Sequence, residues 1–376
     1  PPASSIVPSD ARSVLTIKLG ALRANWARMN REARDAECAA VVKADGYGLG
    51  LEQLATALRA EGCRTFFVAT LDEGRRLRMV DPATTIYILD GLLPGAAPHY
   101  AGFDLRPCLG SLGEIEEWAM FCKISGRKLH AAIHVDTGMN RLGLDMSEVP
   151  SLTAKPGPLD QFTLALLMSH LACGDSQAHP LNALQRERFE AVRKLFPGVP
   201  ASLSNSAGVF LGPGFHYDLV RPGIGLYGGR AFDGKPNPFD WVVKLEARIL
   251  NVRNVSKGAS VGYGASFMAE RDMRVATIAV GYADGFLRAL SSRPNEAQTL
   301  GHIAGHAVPV VGRVSMDVAA VDVTDVPPIE AQRGGWVEVL GARTTIDDLT
   351  DRAGTIGYEL LTRLGRRVLR VYTEAA

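Results

Sequence analysis

Between residues 23 and 229 eight short apolar runs recur, at 38–42, 65–69, 85–89, 103–107, 129–135, 163–169, 201–204 and 218–221. Amphipathic stretches separate them, among them 51–60, 71–79, 113–123 and 184–195. A short run that is apolar throughout suits a strand buried on both faces, as in a parallel sheet, and each parallel step needs a crossover. Eight such units within this span predict a closed (β/α)8 barrel, an α/β fold, rather than an open doubly wound sheet.

The pattern changes at Asp233-Gly234-Lys235-Pro236-Asn237-Pro238, a Pro/Gly-rich linker. Alternating strands are expected beyond it at 242–255, 275–280, 307–311, 318–323, 336–340 and 368–372, with one helical stretch at 346–353. We expect a barrel over residues 11–236 and a mostly β C-terminal domain over 237–376. A strand candidate at 14–19 could pair with either domain. A chain of 376 residues accommodates two such cores.

Composition excludes several classes. The 41 basic and 40 acidic residues leave a net charge of +1, with no basic stripe to attract nucleic acid. The five cysteines, Cys38, Cys63, Cys108, Cys122 and Cys173, are scattered and form no Cys-x-x-Cys pair. That argues against a disulfide framework or a zinc site, and suits small buried hydrophobes in a reducing cytoplasm. Residues 1–10 lack a basic region followed by an apolar core, so no signal peptide is expected. Apolar runs such as 164–168 are too short to span a membrane.

Barrel enzymes place their chemistry just past the C-terminal ends of the strands. The first run ends in Ala40-Val41-Val42-Lys43-Ala44-Asp45-Gly46-Tyr47-Gly48. A lysine there would be desolvated, which lowers its pKa and makes it a nucleophile able to form a Schiff base. The plainer alternative is a snorkelling lysine at a strand end. The fifth run leads into Asp136-Thr137-Gly138-Met139-Asn140-Arg141, the sixth into His170, the seventh into Asn205-Ser206, and the eighth into Arg221-Pro222-Gly223-Ile224-Gly225. The last two suit a phosphate cradle of backbone N–H groups and a hydroxyl. Alone, Arg-Pro-Gly is a common turn and Asn205-Ser206 reads as a helix N-cap.

The stretches 40–50, 134–143, 168–172, 204–207, 220–228, 261–265, 280–285, 312–317 and 355–359 resemble, in order and spacing, successive motifs of the alanine racemases. The resemblance runs from about residue 14 to 372. It implies a pyridoxal 5'-phosphate barrel fused to a β domain, acting on alanine as a homodimer with active sites shared between subunits. Lys43 would carry the cofactor. Tyr47, Asn205, Ser206, Tyr358 and the backbone of Gly223 and Ile224 would bind its phosphate end. Arg221 would donate to the pyridine nitrogen, and His170 would lie beneath the ring. Arg141 would bridge the cofactor's phenolic oxygen and the substrate carboxylate. Tyr263 and Met316 would come from the other subunit, the first as a base and the second as a backbone donor to the carboxylate. Tyr282, Arg288, Arg313 and Asp317 match positions that shape the entrance. No metal is implied.

These residue types suit racemisation, which removes the α-proton on one face and returns one on the other, so that two bases are needed. Arginine stays protonated and only donates, so Arg221 would leave the ring a weaker electron sink and limit transamination. One departure stands out. Many family members carry a lysine at the position of His134; that lysine is carbamylated and orients the arginine matching Arg141. Histidine cannot supply that carbamate, and a neighbouring glycine of the pattern is Asn140 here. A chloride ion or Asn140 would have to meet the role.

Other functions fit less of the chain. A racemase of serine or of a broader amino acid set shares every motif above. Basic amino acid decarboxylases of the same architecture need a cysteine in the β domain, and all five cysteines here precede Asp233. A non-catalytic pyridoxal phosphate carrier would need only a barrel. A metal-dependent hydrolase built on His134, Asp136 and His170 would leave Lys43, Tyr47 and the cradle unexplained.

Overall fold

In the computed structural model, which describes residues 7–292 and 299–375, the chain divides into two units. One comprises Leu22–Leu226 and Arg230–Phe239; the other comprises the segment up to Ala21, Tyr227–Gly229 and the chain from Asp240 onward. Of the N-terminal stretch read above for a signal peptide, residues 1–6 lie outside the described residues.

Strand β1 (Ser13–Lys18) belongs to the second unit, and helix α1 (Leu19–Ala33) leads into the first. The first unit is the alternating one. Its strands are β2 (Glu37–Cys38), β3 (Ala40–Val41), β4 (Thr65–Val68), β5 (Thr85–Ile88), β6 (Arg106–Leu109), β7 (His130–His134), β8 (Thr163–Met168), β9 (Ala201–Ser202) and β10 (Leu219–Val220). Strands β3 to β9 form one parallel sheet in chain order. The ring closes through β10, which lies parallel to β2 with Val220 opposite Cys38. On its other side, Asp218 N donates to Ala201 O at 3.0 Å and Arg221 N to Ser204 O at 2.8 Å. The run expected as one strand at 38–42 breaks at Ala39 because the chain changes partner there. Ala39 N donates to Val220 O, whereas Val42 N donates to Phe67 O.

Side chains such as Phe66, Phe67, Ile86, Ile88, Ile133 and Leu167 are fully buried in this unit, each worth about 1.5–3 kcal/mol of transfer free energy. Helices α2 (Leu51–Glu61), α3 (Leu71–Val80), α4 (Ala97–Gly102), α5 (Leu112–Ser125) and α6 (Pro180–Arg193) supply crossovers. Thr70 and Glu73 start α3 with a capping box, and Ser111 caps α5 by accepting from Glu114 N. The strand expected at 103–107 is displaced to 106–109. Asp104 takes φ +49°, and Leu105 N donates back to Tyr100 O at 3.0 Å, so Phe103 and Leu105 end α4 instead of starting a strand.

The second unit is mostly β. It contains β11 (Val243–Val255), β12 (Ser260–Val261), β13 (Phe267–Met268), β14 (Met273–Ile278), β15 (Thr299–Ile303), β16 (His306–Pro309), β17 (Ala319–Asp322), β18 (Trp336–Leu340) and β19 (Leu369–Thr373). One sheet runs β16-β15-β18-β11-β1-β19, with β14 on β11 and β17 on β14. Burial alternates along β11 from Val243 to Ile249, the period-two signature of a strand with one covered face. Strand β1 resolves the choice left open by the sequence: it pairs antiparallel with β11 and parallel with β19. Helix α7 (Ile346–Ala353) is where the pattern put it, and α8 (Gly357–Thr362) follows it. Among the described residues no helix is long and apolar enough to cross a membrane.

Candidate active site

Lys43 leaves the first barrel strand through a left-handed turn. Ala44, Asp45 and Gly46 have φ/ψ of 54°/48°, 56°/47° and 62°/44°, and Tyr47 has φ +56°. Gly46 is needed as glycine twice over, since a Cβ there would also lie 2.4 Å from Leu54 Cδ1. The turn leaves Lys43 half-buried and Tyr47 buried.

Burial lowers the Lys43 amine below its ordinary pKa, and the Arg141 guanidinium adds to the effect, while Asp90 and Glu73 oppose it. His134, at the end of β7, is pushed down to about 4 by burial and then by Arg221, with Asp136 pulling the other way and Arg141 reinforcing the drop. His170 lies well below the usual histidine range because of burial, followed by Arg221, His134, Arg141 and Lys43. Both imidazoles are therefore neutral at neutral pH. These mutual fields mean that the barrel brings Lys43, His134, Arg141, His170 and Arg221 together, as their sequence positions predicted. Asp136 Oδ1 accepts from Gly138 N at 2.7 Å and Met139 N at 2.8 Å, shaping the loop to Arg141. Asn140 takes φ +56°, a conformation asparagine tolerates better than most residues, so it can stand where the family has glycine.

Arg221 is 3% exposed. Its Nη2 donates to Ser169 O at 2.6 Å and its Nη1 to Ser202 Oγ. Burial lowers its pKa to about 10, and among the described residues only the Cys108 thiol counters that. A buried guanidinium without a carboxylate partner is costly, and it has donor capacity for a neutral acceptor such as a ring nitrogen.

The seventh and eighth strand ends meet at Ser206. This buried hydroxyl accepts from Gly223 N at 2.7 Å and Gly225 N at 3.4 Å. A Cβ on Gly223 would lie 2.3 Å from the Tyr47 hydroxyl, so Tyr47, Ser206 and Gly223 converge on one spot. Ile224, buried, opens a 3-10 turn to Tyr227. Asn205 Oδ1 accepts from Gly208 N at 3.0 Å, the capping role its residue type suggested.

The remaining predicted residues belong to the β unit. Tyr263 stands at the tip of the β12–β13 hairpin, 71% exposed, and Met316 is 54% exposed. Ala283 N donates to Met316 O at 3.0 Å. A Cβ on Gly264 would meet Arg313 Nη1 at 3.0 Å, so Arg313 packs beside the Tyr263 turn. Asp317 pairs with Arg367 at 2.7 Å. Tyr282 and Arg288 each begin a 3-10 turn, and Tyr358 lies in the first turn of α8.

Two residues near Lys43 escaped the sequence reading. Asp90 lies two residues past the end of β5, so the strand-end rule could have found it; burial raises its carboxyl pKa, and Lys43 opposes that rise. Glu73 closes the capping box of α3, a role that does not by itself point to Lys43. Among the described residues no group of three or more His, Cys, Asp or Glu side chains could hold a metal ion.

Comparison with known proteins agrees with this geometry. The family model described as alanine racemase, N-terminal domain, matches residues 17–231, and that of the C-terminal domain matches 242–372. The chain is 50% identical over 367 residues to an alanine racemase of Methylobacterium sp. (strain 4-46), covering 98% of this chain and 99% of that protein. It is 48% identical to that of Rhodospirillum rubrum, covering 96% of each. The crystal structure of alanine racemase from Bartonella henselae with covalently bound pyridoxal phosphate superimposes with a TM-score of 0.90 at 40% identity, over 96% of this chain and all of that one. The chain belongs to the alanine racemase family.

Proposed function

We propose that this chain is a cytoplasmic, pyridoxal phosphate-dependent isomerase that interconverts L-alanine and D-alanine as a homodimer. The observation that carries the proposal is the barrel mouth: a desolvated lysine in the field of the Arg141 guanidinium, and a buried arginine, Arg221, that has no carboxylate partner among the described residues. The residues there fit the cofactor. Lys43 is a primary amine with a lowered pKa, Arg221 offers N–H donors to a ring nitrogen, and the convergence of Tyr47, Ser206 and Gly223 leaves no room for a Cβ where a phosphate would sit. The five free cysteines suit a reducing compartment.

Pyridoxal phosphate supplies the electron sink that makes the α-proton of an amino acid removable. The protein's part is to bind, orient and move protons. Lys43 would hold the cofactor, and its amine, when neutral, would take or return the α-proton on one face. Tyr263 of the partner subunit does the same on the opposite face. Arg221 holds the ring nitrogen by donation and, as an arginine, does not surrender its proton. His170, kept neutral by burial, would line the cofactor site without adding charge. Ser206, Asn205, Tyr47, Tyr358 and the N–H groups of Gly223 and Ile224 form the phosphate end. Arg141 and the backbone of the partner subunit's Met316 orient the substrate carboxylate. The exposure of Tyr263 and Met316 supports a role completed by a second chain.

The test is chiral product analysis with a panel of amino acids, together with borohydride reduction and peptide mapping. We expect D-alanine from L-alanine at the highest rate in the panel, and the reduced adduct on Lys43. An adduct on another lysine, or no D-amino acid from any substrate, would overturn the proposal.

A further inference from the structure

Five consecutive residues after Lys43, from Ala44 to Gly48, have positive φ. The two glycines bear this freely, but Ala44, Asp45 and Tyr47 each carry a penalty of ~1–2 kcal/mol. Such backbone persists only where its surroundings over-determine it. Within the turn, Gly46 N donates to Val42 O at 2.9 Å and Gly48 N to Ala44 O at 2.7 Å. The second bond engages the carbonyl of the peptide between Ala44 and Asp45, whose N–H takes its partner from outside the turn.

That peptide is held from outside by α3. Glu73 Oε1 accepts from Asp45 N at 3.0 Å, across 28 residues of sequence. Its Oε2 accepts from Ala69 N at 2.9 Å and Thr70 N at 3.3 Å. Closing a capping box occupies one oxygen; here the second is committed to the lysine turn. Glu73 is 8% exposed, so its charge is held by N–H donors that cannot drift into water. Arg76, three residues further along α3, holds the Asp45 side chain: Nη2 donates to Asp45 Oδ1 at 2.6 Å, while Nε and Nη2 grip Glu52 at 2.8 and 2.9 Å. Asp45 Oδ1 also accepts from Leu51 N at 3.3 Å at the start of α2. The strained turn is thereby wedged between two helices by four charged side chains.

We propose that Glu73, assisted by Arg76, is a positioning residue for racemisation, one that locks the left-handed turn and so fixes the direction in which Lys43 enters the site. This deepens the function proposed above and rests on Lys43 being the base. A misdirected base costs rate far more than it costs binding.

The experiment compares holoenzymes of wild type, Glu73→Ala, Glu73→Gln and Thr70→Ala. Thr70→Ala removes the hydroxyl that caps Glu73 N at 3.3 Å but leaves the bond to Asp45. For Glu73→Ala we expect amide exchange in peptides covering 44–48 to quicken about tenfold. We also expect kcat for L-alanine to fall about 10- to 100-fold with KM within about twofold. Glu73→Gln, whose amide oxygen can still accept from Asp45 N, should recover much of kcat. Thr70→Ala should lower thermal stability yet keep wild-type kcat and wild-type exchange at 44–48. Equal loss of kcat in Thr70→Ala and Glu73→Ala, or unchanged exchange in Glu73→Ala, would overturn the proposal. Absence of D-alanine from the wild type would instead refute the assigned reaction. The exchange readout would still decide on the clamp.

Discussion

The two units hold their candidate site residues in opposite ways. In the barrel, Tyr47, Ser206, Arg221, Gly223 and Ile224 are buried and tied to strand ends of the same unit. In the β unit, Tyr263, Met316, Tyr282 and Tyr358 are among the exposed large hydrophobic side chains. The first set has its geometry fixed by a single chain, through ladder bonds, caps and steric exclusion. The second set has contact area to spare, and exposed aromatic surface of that kind gains a function when another surface covers it. For Tyr263 and Met316 the difference separates what one protomer preorganises from what we propose assembly must supply.

The largest effect should come from crossing the two sets. Lys43→Ala and Tyr263→Phe homodimers should each lose about 10³-fold or more of racemase activity, since each lacks one base at both centres. A heterodimer of the two, purified with two tags, has one centre lacking both bases and one with both intact. It should regain activity at that one centre. If it stays as inactive as its parents while binding cofactor, the bases lie on one chain and the distinction drawn above fails.

Arg221→Glu probes the buried set alone. A carboxylate there lets the ring nitrogen hold a proton, which strengthens the electron sink and admits side reactions. Racemisation should slow about 100-fold, and pyruvate from transamination, measured by a coupled dehydrogenase, should rise relative to D-alanine. Unchanged partitioning between the two products would count against the assignment. Gly223→Ala sharpens the contrast by sterics. Its Cβ would meet the Tyr47 hydroxyl at 2.3 Å, and the displaced ring should weaken pyridoxal phosphate binding about tenfold or more. Tyr358→Phe, on the exposed side of the comparison, should cost about threefold, the value of one hydrogen bond. Equal losses in a cofactor titration would erase the contrast.

The smallest effect is in stability. The pKa of His134 in the folded chain, about 4, lies below its ordinary value of 6.5. Between those values the unfolded chain takes up a proton that the folded chain refuses. The stabilisation is thus fully present above pH 6.5, declines as pH falls towards 4, and levels off below. His170 acts in the same direction. His134→Gln should flatten the fall of Tm across this window by about 2 °C or more, leaving the part due to His170. An identical slope would show that His134 already charges in the folded chain.

Much of the barrel was legible because strands buried on both faces leave unmistakable apolar runs, and the strand-end rule then pointed at Lys43, His170, Ser206 and Arg221. What was not legible is instructive. The break at Ala39 depends on which strand lies on either side, and no local pattern encodes that. Strand β15 (Thr299–Ile303) escaped because Gly301 and His302 interrupt its apolar alternation. Helix α8 is short and begins at Gly357, so no helix was expected around Tyr358. The glycines at 46, 48 and 50 announced a turn after Lys43, but not that Ala44, Asp45 and Tyr47 share its left-handed sense. Glu73 was not singled out, because the use of its second carboxylate oxygen is a long-range fact.

The pairing of β1 has a consequence for the order of assembly. Residues 13–17 find their antiparallel partners at 243–247, and residues 14–18 their parallel partners at 369–373. Each step from β3 to β9, by contrast, joins strands that follow one another along the chain. Closing a loop of several hundred residues costs more entropy than closing one βα unit, and the cost must be met before any ladder bond forms. On a growing chain β1 precedes both partners and stays without a ladder until β11 has been synthesised, an unprotected edge that other chains can capture. Barrel closure should therefore precede completion of the β sheet. In pulse-labelled refolding, amides of β4 to β8 should gain protection before those of β1 and β19.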